Sequence, residues 1–175
     1  MRTEMQISGF GGQGVILMGY ITGCAAAIFE NRNTTFTQSY GPEARGGACS
    51  AEVIIADEKI SYPLLISPKI LITMSQSAYG TYRKNLAEDG VLIYDSVLVT
   101  LNPDDKAKAY AIPAQEIATK LGKSIIANIV MLGFITKVTN IVTREAMEKA
   151  IAKSIPATML ELNMEAFKQG YEYPI

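Results

Sequence analysis

The stretch Ile7–Phe29 constrains this chain more than any other. A short apolar lead-in (Met5, Ile7) runs into Gly9, Gly11 and Gly14 at G-x-G-x-x-G spacing, with Gly12 added, and an apolar helix-length segment follows. Strand, glycine turn and helix in that order hold a phosphate by simple means. Glycine lets the backbone turn tightly and come close to a ligand. The unpaired N–H groups and positive dipole end of the helix then face the anion. The same turn also suits a helix packed closely on its sheet, so the motif alone leaves ligand contact and packing both open. A dinucleotide site would add an acidic residue at the end of the second strand to hold the ribose. Here that strand, Thr34–Gln38, closes on Gln38, Ser39 and Tyr40, while Glu30 sits at the helix end. The pattern favours a phosphate cradle over an NAD site.

With 175 residues the chain can bury a full core, and it reads as one domain spanning 1–175. Hydrophobic residues make up 49% and charged ones 19%, which is little charge for a free-standing surface. Another chain is therefore expected to cover part of the exterior. The net charge is −1 with no basic run, so a nucleic-acid partner is not expected. Histidine is absent, which removes the commonest general base and metal ligand. The two cysteines, Cys24 and Cys49, are too few for an iron–sulfur cluster. Nothing demands a disulfide, which fits a cytoplasmic protein. The uncharged run Gln13–Phe29 is short for a membrane span and carries Gly19 and Gly23, while Glu4, Gln6 and Ser8 interrupt any signal-peptide start. Neither membrane insertion nor export is expected.

Taken in order, the first helix covers about Gln13–Phe29 and, being apolar all round, should be buried on every face. Gly19, Gly23 and Ala27 give it a smooth stripe for close approach. Ala48–Ala56 reads as a strand that Asp57-Glu58 turns back into Lys59–Tyr62, a hairpin stopped by Pro63. Ile70–Met74 is a buried strand, and a serine among Ser75-Gln76-Ser77 caps the helix after it. Strands Val91–Tyr94 and Ala109–Ile112 follow; Pro113 opens a helix closed by Gly122. Helices are further expected over Asn128–Val138, from Thr143 to about Ser154, and over Ala157–Gln169. The alternation predicts an α/β fold, a three-layer α/β/α arrangement with a mostly parallel sheet and one antiparallel hairpin.

Two further places carry chemistry. Ser39–Gly47 (S-Y-G-P-E-A-R-G-G) is an unusually furnished connector. Arg45 could hold an anion with its planar fork, or pair with Glu43 and shape the loop, or meet another subunit. Asp95 falls at the strand edge where open α/β sheets place ligands, although turn hydrogen bonding is the commoner use of such an aspartate. No nucleophile–base pair, metal set or paired carboxylates can be named. The chain has a cradle and no engine.

G-F-G-G-Q-G-V from Gly9, S-Y-G-P-E-A-R-G-G from Ser39, A-E-V-I-I-A from Ala51 and A-N-I-V-M-L-G from Ala127 together resemble the gamma subunit of 2-oxoacid:ferredoxin oxidoreductases, most of all the 2-oxoglutarate branch. The resemblance spans nearly the whole chain. It implies a non-catalytic subunit of a complex that oxidatively decarboxylates a 2-oxo acid to its acyl-CoA and passes electrons to ferredoxin. Thiamine diphosphate, magnesium and iron–sulfur clusters would belong to the partners: alpha, beta and a ferredoxin-like delta subunit. Gly9, Gly11, Gly12, Gln13 and Gly14 would approach the phosphates of coenzyme A. Tyr40, Glu43 and Arg45 would face that ligand or the thiamine-bearing subunit. Two other readings stand beside this one: a self-contained oxidoreductase binding NAD or flavin, and a structural interaction module that uses the turn for packing.

Overall fold

The computed structural model describes residues 1–41 and 47–175. Six strands form one sheet: β1 (Arg2–Phe10), β2 (Asn33–Tyr40), β3 (Ala48–Ala56), β4 (Ile70–Thr73), β5 (Val91–Asp95) and β6 (Lys108–Ile112), ordered β2-β3-β1-β4-β5-β6. Strands β1, β4, β5 and β6 run parallel to one another, whereas β3 is antiparallel to both β1 and β2. The expected class, a mostly parallel sheet flanked by helices with an antiparallel hairpin, is what forms.

The hairpin lies elsewhere than expected. β3 pairs with the strand before it, Thr35 opposite Ile54, and residues 59–62 form no strand. A strand has two edges, and those of β3 are taken by β1 and β2. The segment after β3 is held instead by side chains of β1. Arg2 donates to the carbonyls of Tyr62 and Leu64, and the buried Glu4 carboxylate accepts from the N–H groups of Ile66 and Ser67 at 2.7 and 2.9 Å.

Side chains alternate across the sheet. Met5, Ile7, Val53, Ile55, Ile72 and Ile93 join one core with α1 (Val15–Cys24), α3 (Ala114–Lys120), α4 (Ala127–Thr139), α5 (Arg144–Ser154) and α6 (Ala157–Glu172). Leu71 and Leu92 point the other way, toward Tyr79 of α2 (Gln76–Tyr82), Leu86 and Val99. Ser75 caps α2 by accepting from Ala78 N–H at 3.2 Å, and Thr143 caps α5 through Ala146 N–H, also at 3.2 Å.

Helix α4 is buried along most of its length because α6 crosses it closely. A Cβ at Gly133 would collide with the Phe167 carbonyl of α6, and one at Gly170 with the Val130 carbonyl of α4. Helix α1, continued by a wider π-helical turn over Ala25–Phe29, departs from expectation: it is not buried all round. Met18, Ile21 and Ala25 are sealed in the core, while Tyr20, Ile28 and Phe29 are exposed and Leu17 and Cys24 only partly covered. One helix can lie on one sheet face, and among the described residues no element covers the opposite side of α1.

Candidate functional site

The glycine turn sits where the sheet changes its direction of winding. From β1 the chain crosses through α1, on one face, toward β2; from neighbouring β4 it crosses through α2, on the other face, to β5. A crevice opens at the C-terminal ends of two strands so connected, the place where open α/β sheets take ligands.

Residues Gly11–Gly14 make the turn. Gly12 has φ 99° and Gly14 φ 72°, a backbone region that costs an L side chain roughly 1–2 kcal/mol. Gly14 is also the N-cap of α1, with no side-chain cap, so the first-turn N–H groups of α1 lack the partners that a cap would give. A Cβ on Gly14 would strike the side chain of Asn128 in α4, whereas one on Gly12 would meet open space.

Several of the sequence-picked residues are spent on the turn itself. Gln13 Nε2 donates to the Met74 carbonyl at 2.6 Å, and its Oε1 accepts from Phe10 N–H at 3.0 Å. Its amide thereby ties the end of β1 to the end of β4. Gly9 leaves room for this, since a Cβ there would run into Gln13 Oε1 and lie 2.9 Å from Val15 Cγ2. Gly11 N–H donates to the Gly47 carbonyl at 3.0 Å. Gly12 is exposed and Gly14, at the start of α1, is half-buried.

They face a groove of about 710 Å³ running from the turn along α1. Its walls include Leu17, Tyr20, Phe36, Ile129 and Met159, and Tyr40 at the end of β2 stands in it, 64% exposed. Tyr40 and Gly9 both register with Cys49, which puts Tyr40 two strand spacings, roughly 10 Å, from β1. Among the described residues no charged side chain lines the groove. An anion there is met by backbone N–H groups and the helix dipole. Burial pushes the Cys49 thiol up, so it stays protonated and unreactive. A smaller cavity of about 310 Å³ adjoins the turn, between Gly12, Gln13, Gln115 and Ser124. Glu43 and Arg45 lie outside the described residues.

Asp95 takes the turn-bonding role. It is fully buried, accepts from Val97 N–H at 2.9 Å and Gln115 N–H at 2.8 Å, and burial raises its pKa. Among the described residues no group of His, Cys, Asp or Glu could hold a metal, and no helix is long and apolar enough to cross a membrane. Sequence reasoning missed Asn128 and Asn163, which line the groove while 4% and 3% exposed. One signal could have found Asn163: it falls three residues after Leu160 and four before Phe167, on the apolar stripe of its helix.

Turn, groove and mixed sheet define an α/β chain with an apolar crevice opening at the glycine turn. Residues 4–173 match the model of the pyruvate ferredoxin/flavodoxin oxidoreductase family, and the chain belongs to that family. It is 50% identical, over 98% of its length and 94% of the relative's, to the 2-oxoglutarate synthase subunit KorC of Methanocaldococcus jannaschii. A crystal structure of the keto/oxoacid ferredoxin oxidoreductase gamma subunit of Geobacter sulfurreducens superposes with a TM-score of 0.86 at 40% identity, covering 97% of this chain and 96% of that one. The chain is thus of the gamma-subunit type expected from its motifs, a part of an oxidoreductase complex. The fold also recurs, at TM-score 0.84 and 21% identity, within the 2-oxoglutarate:ferredoxin oxidoreductase of Magnetococcus marinus, a structure with 2-oxoglutarate, coenzyme A and succinyl-CoA bound; the match covers 97% of this chain and 30% of that one.

Proposed function

We propose that this chain, as a single gamma domain over 1–175, holds coenzyme A for a cytoplasmic 2-oxoglutarate:ferredoxin oxidoreductase and helps assemble that complex. Thiamine diphosphate, magnesium and the iron–sulfur clusters reside on alpha, beta and delta partners, which decarboxylate the oxo acid and reduce ferredoxin. This chain supplies a binding surface. The observation that carries the reading is the left-handed backbone of Gly12 and Gly14 at the uncapped start of α1, open to a groove that no charged side chain lines among the described residues. Such a turn suits a phosphate or pyrophosphate. The open side of α1 (Tyr20, Ile28) suits a partner subunit. Tyr40 stands at the groove and faces ligand or partner; the same role is proposed for Glu43 and Arg45 on their motif alone.

Gly12→Val in the complex purified with its co-expressed subunits tests the reading. A Cβ at Gly12 meets no described atom within 4 Å, so beyond the strain of its left-handed backbone the new side chain projects into the ligand's approach. Assembly should survive, while the KM for coenzyme A rises at least about tenfold, the price of a blocked contact and lost backbone donors. Loss of assembly together with coenzyme A use would make the turn a packing device.

A further inference from the structure

The groove that starts at the glycine turn is apolar except at a few points, and two of these are buried carboxamides. Asn128 stands on the first turn of α4 and Asn163 in the middle of α6. Both are more than nine-tenths buried, and both line the groove. Asn163 Nδ2 donates to the Met159 carbonyl at 2.8 Å, which leaves its Oδ1 without a partner among the described residues. The Asn128 carboxamide packs against Gly14 at the wall of the groove. Buried polar side chains are normally paired within the protein; the unpaired atoms of these two are not sealed off but reach the groove. Two of them in one greasy channel point to a ligand that brings its own amides.

Resting on the coenzyme A reading given above, we infer that Asn128 and Asn163 read the amide groups of the ligand's pantetheine arm. That arm is aliphatic between two amide bonds, so it needs apolar walls with polar partners at intervals. Leu17, Ile129 and Met159 supply the walls. A carboxamide offers an acceptor and a donor and can pair with either edge of an amide. The groove continues from the turn, so an anion held at Gly12 and Gly14 would leave an attached chain lying along it. An extended peptide from a partner subunit carries the same amides but no phosphate for the turn, and the pantetheine arm therefore fits better.

The test uses two ligands on the complex purified with its co-expressed subunits: coenzyme A, and adenosine 3′-phosphate 5′-diphosphate, which lacks the arm. In the wild-type complex coenzyme A should bind at least about tenfold more tightly; equal affinity overturns the inference without any variant. Asn163→Leu and Asn128→Leu, made separately, should each weaken coenzyme A roughly tenfold and leave the arm-less nucleotide unchanged, the loss expected for one buried hydrogen bond. Coenzyme A binding unchanged in both variants overturns the inference while the glycine-turn reading stands. Equal weakening of both ligands also overturns it, making the asparagines structural. Lost assembly with coenzyme A still held by the remaining complex overturns it and puts a partner segment in the groove. Failure of the wild-type complex to bind either ligand removes the coenzyme A reading itself, and the inference with it.

Discussion

Gln13 and Met74 join the two strands between which the sheet opens. The Gln13 amide donates to the Met74 carbonyl at 2.6 Å and accepts from Phe10 N–H at 3.0 Å, so one side chain fixes the shape of the turn from both sides. Gln13→Ala removes both bonds, and the unfolding free energy should fall by about 1–3 kcal/mol in urea titrations. Gln13→Glu keeps the length and the acceptor but cannot donate to Met74, and it should cost at least as much. A turn held by other means would leave both midpoints unmoved.

Gly12 and Gly14 share a left-handed backbone but not the same surroundings. Alanine at Gly12 meets only the backbone penalty, roughly 1–2 kcal/mol, because no atom of the described residues stands within 4 Å of the added Cβ. Alanine at Gly14 adds a collision with Asn128, which typically costs a further 1–3 kcal/mol, roughly. Denaturant midpoints of the two variants should therefore rank Gly14→Ala well below Gly12→Ala. The reverse order would mean that α4 gives way freely beneath the turn.

The loop after β5 is tied down by charge. Arg83 donates twice to the Asp105 carboxylate at 2.6 Å, and the Tyr79 hydroxyl donates at 2.7 Å. The Arg83 guanidinium, first, and the hydrogen bonds from Ala107 and Tyr79 hold Asp105 well below the usual carboxylate range despite its burial. The folded pKa lies under the unfolded value of about 3.9. The stabilisation is therefore complete above about pH 4–5 and disappears as pH falls toward the depressed folded value. Asp105→Asn should be less stable than wild type at pH 7, with the gap narrowing by pH 3, as read from thermal midpoints. A gap independent of pH would assign the loss to packing.

Tyr20 and Ile28 mark the side of α1 that the described residues leave open. Tyr20→Lys puts a charge on that side at an exposed position, so the isolated chain should keep its melting temperature within about 2 °C, the range of ordinary surface changes. Co-purification of the partner subunits should drop severalfold. Unimpaired recovery of the complex would show that this helix side is not where they dock.

Much of the fold was legible because its signals are local. Strand Ala48–Ala56, the caps Ser75 and Thr143, and the bounds of α3 between Pro113 and Gly122 follow from side-chain period, hydroxyl capping and backbone restriction within a few residues. The glycine spacing likewise announced a strand–turn–helix, and the run of motifs announced the family. What acts over long sequence separation could not be read that way. β3 pairs backward with β2 because its other edge belongs to β1, a competition among distant segments. Only the fold brings Asn128 against Gly14 and leaves Asn163 facing the same groove from α6. The apolar run after Gly14 fixed a helix, but not which of its sides would be covered. Residue type sets how much surface must leave water; the partner that takes it is chosen by packing in three dimensions.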